Sequence, residues 1–148
     1  MSTLVHGGGP IAVDLDTALT TPLATIGRRA NATSGEPVES KHVLYEDWLT
    51  EIGIWEVSPG TFPAAKVGVC ELMQFIEGRG RIVDGSGVTE IGPGVVLFTP
   101  DGWAGTWEVE ETVRKTYALH RTDFGPRSLV RALARRLRRS VRPRLGSP

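Results

Sequence analysis

The sequence predicts an all-β domain of antiparallel strands, a sandwich or barrel, with one amphipathic α-helix appended at its C-terminal end. Three observations carry that prediction. Between His42 and Phe124 short apolar or alternating runs recur, each about the length of a strand. Turn-forming clusters separate them: Ser58-Pro59-Gly60, Asp84-Gly85, Gly92-Pro93-Gly94 and Pro100-Asp101-Gly102. No long helical period interrupts the series, and this argues against the strand–helix alternation of a parallel sheet.

Taken in order, residues 1–40 mix Gly, Pro, Thr and Ser with short apolar pieces around Ile11 and Leu23. They read as an N-terminal arm carrying one or two short strands, with a loop composition from Asn31 to Pro37. Residues 41–125 form the main body, with strands expected over 53–57, 67–76, 80–83, 89–91, 95–98, 105–109 and 113–119. Gly60, Gly78, Gly94 and Gly102 are expected at its corners, where the backbone turns through positive φ. Residues 126–148 hold the helix and a basic tail: Leu129, Val130, Leu133, Leu137 and Val141 recur at three- and four-residue steps among arginines. Pro143 and Gly146 would end it.

Composition narrows the function classes. A chain of 148 residues, 40% hydrophobic, is one domain with enough apolar content for a real core. The single Cys70 excludes an intramolecular disulfide framework and a multi-cysteine zinc site, and suits a reducing cytoplasm. No apolar run reaches the roughly 20 residues that span a bilayer, and the start MSTLVHGGGP lacks the basic and apolar parts of a secretory signal. The expected location is therefore cytoplasmic. Net charge is zero, but eight arginines and no acid lie beyond Pro126, so an acidic body faces a basic tail. That body would repel phosphate, which argues against nucleic acid as a partner. The basic segment 127–142 fits docking on the chain's own acidic body, an acidic partner or an anionic membrane.

Two spaced motifs then stand out. Glu71 is followed after six residues by Gly78, and Gly94 is followed by Pro100 and Gly102. Together with GIWEVSPGTF (53–62), CELMQFIEGRGRI (70–82) and GPGVVLFTPDGWAGTWEVEETVRKTY (92–117), they resemble the small cupins grouped with the (S)-ureidoglycine aminohydrolase cupin domain. The resemblance covers about residues 45–120. It implies a double-stranded β-helix, the jelly-roll cupin barrel, whose mouth holds a small ligand. It does not by itself imply the hydrolase reaction, because one fold hosts many activities.

Departures from the pattern decide what carries over. Metal cupins place two histidines before the first-motif Glu and one after the second-motif Gly, leaving open positions on a divalent ion. Here residues 63–70 contain no histidine, and Gly105 stands at the second-motif position. His6, His42 and His120 lie outside both motifs. No metal or other cofactor is therefore expected.

Strand parity then selects the residues around Glu71. If Glu71 points inward, Val69, Met73 and Phe75 do too, while Cys70 and Leu72 face out. The same parity turns Trp107 and Val109 inward. A carboxylate among Met, Phe and Trp is expected to have a raised pKa and to act as an acid or base. The alternative is a structural ion pair of Glu71 with Lys66, Lys115 or Arg114. Lys115 shares parity with Tyr117, and Arg114 shares parity with Thr116, so one of these pairs meets the cavity. The catalytic candidates are accordingly Glu71, Tyr117 and Lys115. Lys66, Met73, Phe75, Trp107 and Trp55 make up the ligand-binding wall, although an indole such as Trp55 also suits plain core packing. Cys70 and the His6-Gly-Gly-Gly9 segment are set aside as an inert thiol and an arm, since neither has the partners its chemistry would need.

Two functions follow. One is a metal-independent hydrolase, lyase or isomerase acting on a small polar metabolite, with Glu71 moving a proton and Tyr117 or Lys115 steadying charge. The other is a non-catalytic sensing or accessory module. Either is expected as a homodimer.

Overall fold

The computed structural model describes residues 8–122. One short helix, α1 (Leu15–Thr20), precedes nine strands: β1 (Ala24–Arg28), β2 (Ser34–Gly35), β3 (Val38–Glu46), β4 (Thr50–Val57), β5 (Gly60–Ala65), β6 (Val69–Asp84), β7 (Gly87–Ile91), β8 (Val96–Thr99) and β9 (Ala104–Arg121). The amphipathic helix expected beyond residue 126 lies outside the described residues. Among the described residues no helix is long and apolar enough to cross a membrane.

All nine strands form one curled antiparallel sheet. Its spine is the pair β6–β9, which runs from Val69↔Arg121 to Val83↔Thr106. Shorter strands flank each half of the spine. On the free side of β9, β4 pairs with residues 113–120 and β5 with 104–109. On the free side of β6, β8 pairs with residues 71–74 and β7 with 80–84. This exchange of partners halfway along two long strands wraps the sheet into the expected barrel.

The exchange also explains a difference from the sequence pattern. Breaks at 77–79 and 110–112 predict four short strands where two long ones form. The β6–β9 register shifts repeatedly between Phe75 and Gly80, so the breaks are bulges that bend continuous strands rather than turns that end them. At the corners, Gly60, Gly78, Gly94 and Gly102 all hold positive φ, as expected.

Alternation places the core. Met73, Phe75 and Ile82 of β6 meet Trp107, Val109 and Val113 of β9, with Val57, Phe62 and Ile91 closing the set. Trp107 sits at the centre, stacked on Phe62 at 5.9 Å, tilted against Phe75 at 5.9 Å and edge-on to Trp55 at 5.6 Å. Helix α1, capped by Asp14 accepting from the Thr17 amide, packs on the outside. There Arg114 donates to the carbonyls of Ala18 and Thr21 and pairs with Glu56 at 3.0 Å, so Arg114 is the outward member of its strand.

Candidate functional site

The site is built on the half of the spine where β9 pairs with β4. Glu71, Met73 and Phe75 are buried, whereas Leu72 is 50% exposed, as the parity of β6 requires. Across the sheet Phe75 pairs with Lys115, Met73 with Tyr117, and Trp55 with Lys115. Lys115 and Tyr117 therefore enter the barrel together, and Arg114 with Thr116 occupies the other face.

Lys115 is held from several directions. Its Nζ donates to Glu71 Oε1 at 2.7 Å and to Met73 Sδ at 3.1 Å. The same nitrogen lies 4.5 Å from the Trp55 ring centre and 5.1 Å from that of Trp107, close enough for cation–π attraction. The other carboxylate oxygen of Glu71 pairs with Lys66. Lys66 follows β5, and its backbone is fixed by bonds to Gly102 and Trp103 in the loop before β9.

A second cluster adjoins the first. Glu51 accepts from Tyr117 at 2.6 Å and from Lys41 at 2.8 Å. Gly53 makes this possible, because a Cβ there would stand 2.9 Å from the Tyr117 hydroxyl and 2.4 Å from the His42 carbonyl. Arg29 pairs with Glu39 at 2.9 Å and lies 4.3 Å over the Phe62 ring.

These groups surround an open cavity of about 200 Å³. Of the residues expected at the site, Glu71, Lys115, Tyr117, Lys66, Trp55 and Trp107 line it. Met73 and Phe75 do not; they are packed into the core behind Lys115. Lys41, Glu51, Glu39 and Arg29 also line it and escaped the sequence reading. Lys41, Glu39 and Glu51 stand on strands outside both motifs and Arg29 directly follows β1, and only the pairing of β4 with β3 and of β3 with β1 brings them to the mouth.

The electrostatics reverse one expectation. Burial works to raise the Glu71 pKa, but the Lys115 and Lys66 ammoniums and their hydrogen bonds outweigh it, so the carboxyl lies below its usual range. Glu71 is thus an ionised acceptor at neutral pH. The group moved toward neutrality is Lys115, which burial pushes down to about 8 against the opposing pull of Glu71. The Tyr117 phenol is raised, first by burial and then by its bond to Glu51.

The donor set does not fit the metal of metal cupins. Both Glu71 oxygens face ammonium groups, which would repel a cation. Among the described residues no three His, Cys, Asp or Glu side chains are arranged to hold a metal ion. His42 and His120 are exposed, and His6 lies outside the described residues. At Gly105 a Cβ would meet the Trp103 ring at 2.6 Å and the Val83 carbonyl at 2.9 Å. The indole of Trp103, anchored on Asp84 at 2.8 Å, crowds the place of an imidazole.

With this geometry, residues 46–117 match the family described as the EutQ-like cupin domain. That segment is a cupin domain. Its cupin barrel is similar to that of the Clostridium difficile EutQ protein, with 20% identity and a TM-score of 0.52 over 60% of this chain and 71% of that one. A Pseudomonas syringae protein of unknown function from the DUF861 family shares 25% identity at a TM-score of 0.61, over 68% of this chain but 45% of the other. This chain therefore spans less than half of that protein's length. A putative ethanolamine utilization protein Q from Salmonella typhimurium shares the cupin fold at 16% identity and a TM-score of 0.53, over 69% of this chain and 96% of that one. No curated protein matches the chain.

Proposed function

We infer that this cupin binds a small polar metabolite in the barrel mouth and moves a proton on it through the Lys115–Glu71 pair, without a resident metal ion. The observation that carries the reading is an ammonium–carboxylate pair, each side chain 5% exposed, that faces an open cavity. Desolvating two charges is expensive and seldom stabilises a fold more than apolar packing would. A perturbed pair in a cleft is, on the other hand, the usual arrangement for proton transfer.

The roles differ from a lone acidic catalyst. Glu71 holds the proton of Lys115 in place and receives it when the amine must be free. Lys115, poised near neutral pH, exchanges protons with the ligand. Tyr117 keeps its hydroxyl proton, which it donates to Glu51, so that its oxygen presents a lone pair to donors on the ligand. Trp55 and Trp107 supply the apolar wall that keeps water away from the pair. Hydrolase, lyase or isomerase chemistry on a C–N or carbonyl-type substrate fits such a set.

Purified protein should carry far less than one equivalent of metal by elemental analysis. Small molecules retained on native purification, identified by mass spectrometry, should be turned over by the wild type and bound but not turned over by Glu71→Gln. Turnover that survives Glu71→Gln, or turnover that requires an added metal, would end this reading.

A further inference from the structure

The chain holds only three lysines, Lys41, Lys66 and Lys115, against fourteen arginines. All three line the same cavity. Elsewhere on the described surface the cations are arginines, as at Arg28, Arg79 and Arg81. The two side chains differ in a way that matters here: guanidinium is charged at any ordinary pH, whereas an amine can lose its proton and become a nucleophile. Among the three, Lys115 alone is buried, with its Nζ set between Glu71, the Met73 sulfur and the faces of Trp55 and Trp107. Apolar walls around an amine favour its neutral, reactive form. A second observation concerns Arg29, which lines the same cavity with its side chain still 21% exposed and pairs with Glu39. A guanidinium in a cavity wall fits a carboxylate from a ligand.

Resting on the proton-transfer reading above, we propose that Lys115 is an imine-forming lysine and that the ligand class is a small 2-oxo acid, its carbonyl carbon bonded to Lys115 Nζ and its carboxylate received by Arg29. Glu71 first takes a proton from the Lys115 ammonium. The freed lone pair of Nζ attacks the carbonyl carbon while the C=O π pair moves to oxygen, and a proton passes from nitrogen to that oxygen to give a neutral carbinolamine. Glu71 returns its proton to the hydroxyl, which leaves as water while the nitrogen lone pair forms the C=N bond. The sum is ammonium plus ketone giving protonated imine plus water, with Glu71 ending as it began and no oxidant or reductant consumed. A protonated imine is an electron sink, so the bond-making and proton transfers of a lyase or isomerase follow from it directly.

The test uses the full-length protein with pyruvate or glyoxylate as probe and sodium cyanoborohydride as trap, followed by peptide mapping in a mass spectrometer. The reduced adduct should fall on Lys115 more than about tenfold over Lys41 and Lys66 at pH 8, since Lys115 alone holds its amine between the two indole faces. The rate of trapping should rise with pH to a midpoint near 8. Lys115→Arg, if folded by circular dichroism, should abolish the adduct and still bind the probe in a calorimeter; if it does not fold, the wild-type map decides alone. Adducts spread evenly over the three lysines overturn the proposal. Binding of either probe without an adduct on Lys115 also overturns it, while leaving the proton-transfer reading intact. Turnover of an unrelated retained ligand by a chain that never traps either probe has the same effect.

Discussion

The two halves of the β6–β9 spine obey the same alternation and deliver opposite contents. Where β7 and β5 flank it, the inward positions are Ile82, Trp107 and Val109, joined by Ile91 and Phe62, and the barrel is filled. Where β8 and β4 flank it, the inward positions are Glu71, Lys115 and Tyr117, and the barrel is open. Phe75 and Val113 form the boundary, each fully buried. The filled half supplies close packing of predominantly apolar side chains. Charged groups in the open half give up hydration and recover it only through each other. A rigid closed end is what allows an end this polar to hold its geometry.

The largest expected effect breaks the boundary on which the filled end rests. Phe75→Ala removes a ring that is completely buried against Trp107. It should lower the unfolding free energy by about 4 kcal/mol, read from urea or guanidinium denaturation. A loss below about 1 kcal/mol would mean that this end is loosely packed and that the contrast between halves is wrong.

Breaking the open half should be next in size, and its sign depends on how it is broken. Glu71→Gln strands two ammoniums in a dry site and should cost about 3 kcal/mol. The double variant Glu71→Leu with Lys115→Met replaces the buried pair by apolar groups and should be more stable than Glu71→Gln, because the desolvation penalty of Lys115 disappears with its charge. In the single variant the Lys115 pKa should fall further below about 8, since Glu71 is what supports its proton. Direct observation of the Lys115 side chain by NMR titration separates these outcomes.

The pH dependence sharpens the same comparison. Lys115 titrates near 8 in the fold and near 10.5 in the unfolded chain. Between those values the unfolded chain binds more protons, so unfolding free energy should rise with pH across that window. Below about 8 the penalty for the buried ammonium is fully present. Relative to Lys115→Met, the wild type should gain stability from pH 8 toward 10. Glu71 acts in the opposite region: its lowered pKa contributes stability above the ordinary carboxylate range and loses it as pH falls through the folded value.

Parity made much of this legible before any coordinates. One inward assignment, Glu71, ordered Val69 through Phe75, and the shared parity of Lys115 and Tyr117 brought the right pair of alternatives to the cavity. Parity gives a direction along one strand and says nothing about depth, so Met73 and Phe75 were assigned to the wall when they lie behind it. It is also silent on what comes from other strands. Lys41 and Glu51 face each other only because β3 folds back on β4, with a register shift between Val43 and Tyr45. The raised carboxyl expected for Glu71 came from counting its apolar neighbours alone; the ammoniums that reverse it come from β9 and from the end of β5. One compositional signal was available unread: three lysines among seventeen basic residues, a scarcity with a place in the fold.

The smallest effects calibrate the others, and they depend on how far each pair stands from water. Glu51→Gln removes the negative charge that both Lys41 and Tyr117 face, in bonds that are partly exposed, and should cost about 1 kcal/mol. Its clearer signature is on Tyr117: with the carboxylate charge gone, the phenol pKa should fall toward its ordinary value, visible as tyrosinate absorbance appearing at lower pH. At the outer edge of β1, Arg28 and Glu36 also make a pair, but their side chains are 69% and 72% exposed. Glu36→Gln should leave the denaturation midpoint unchanged within error, because water already screens the attraction and ordering two long side chains offsets what is left. If Glu36→Gln destabilised the chain as much as Glu71→Gln, exposure would not be what separates the two pairs, and the Lys115–Glu71 contact would lose its standing as the special one.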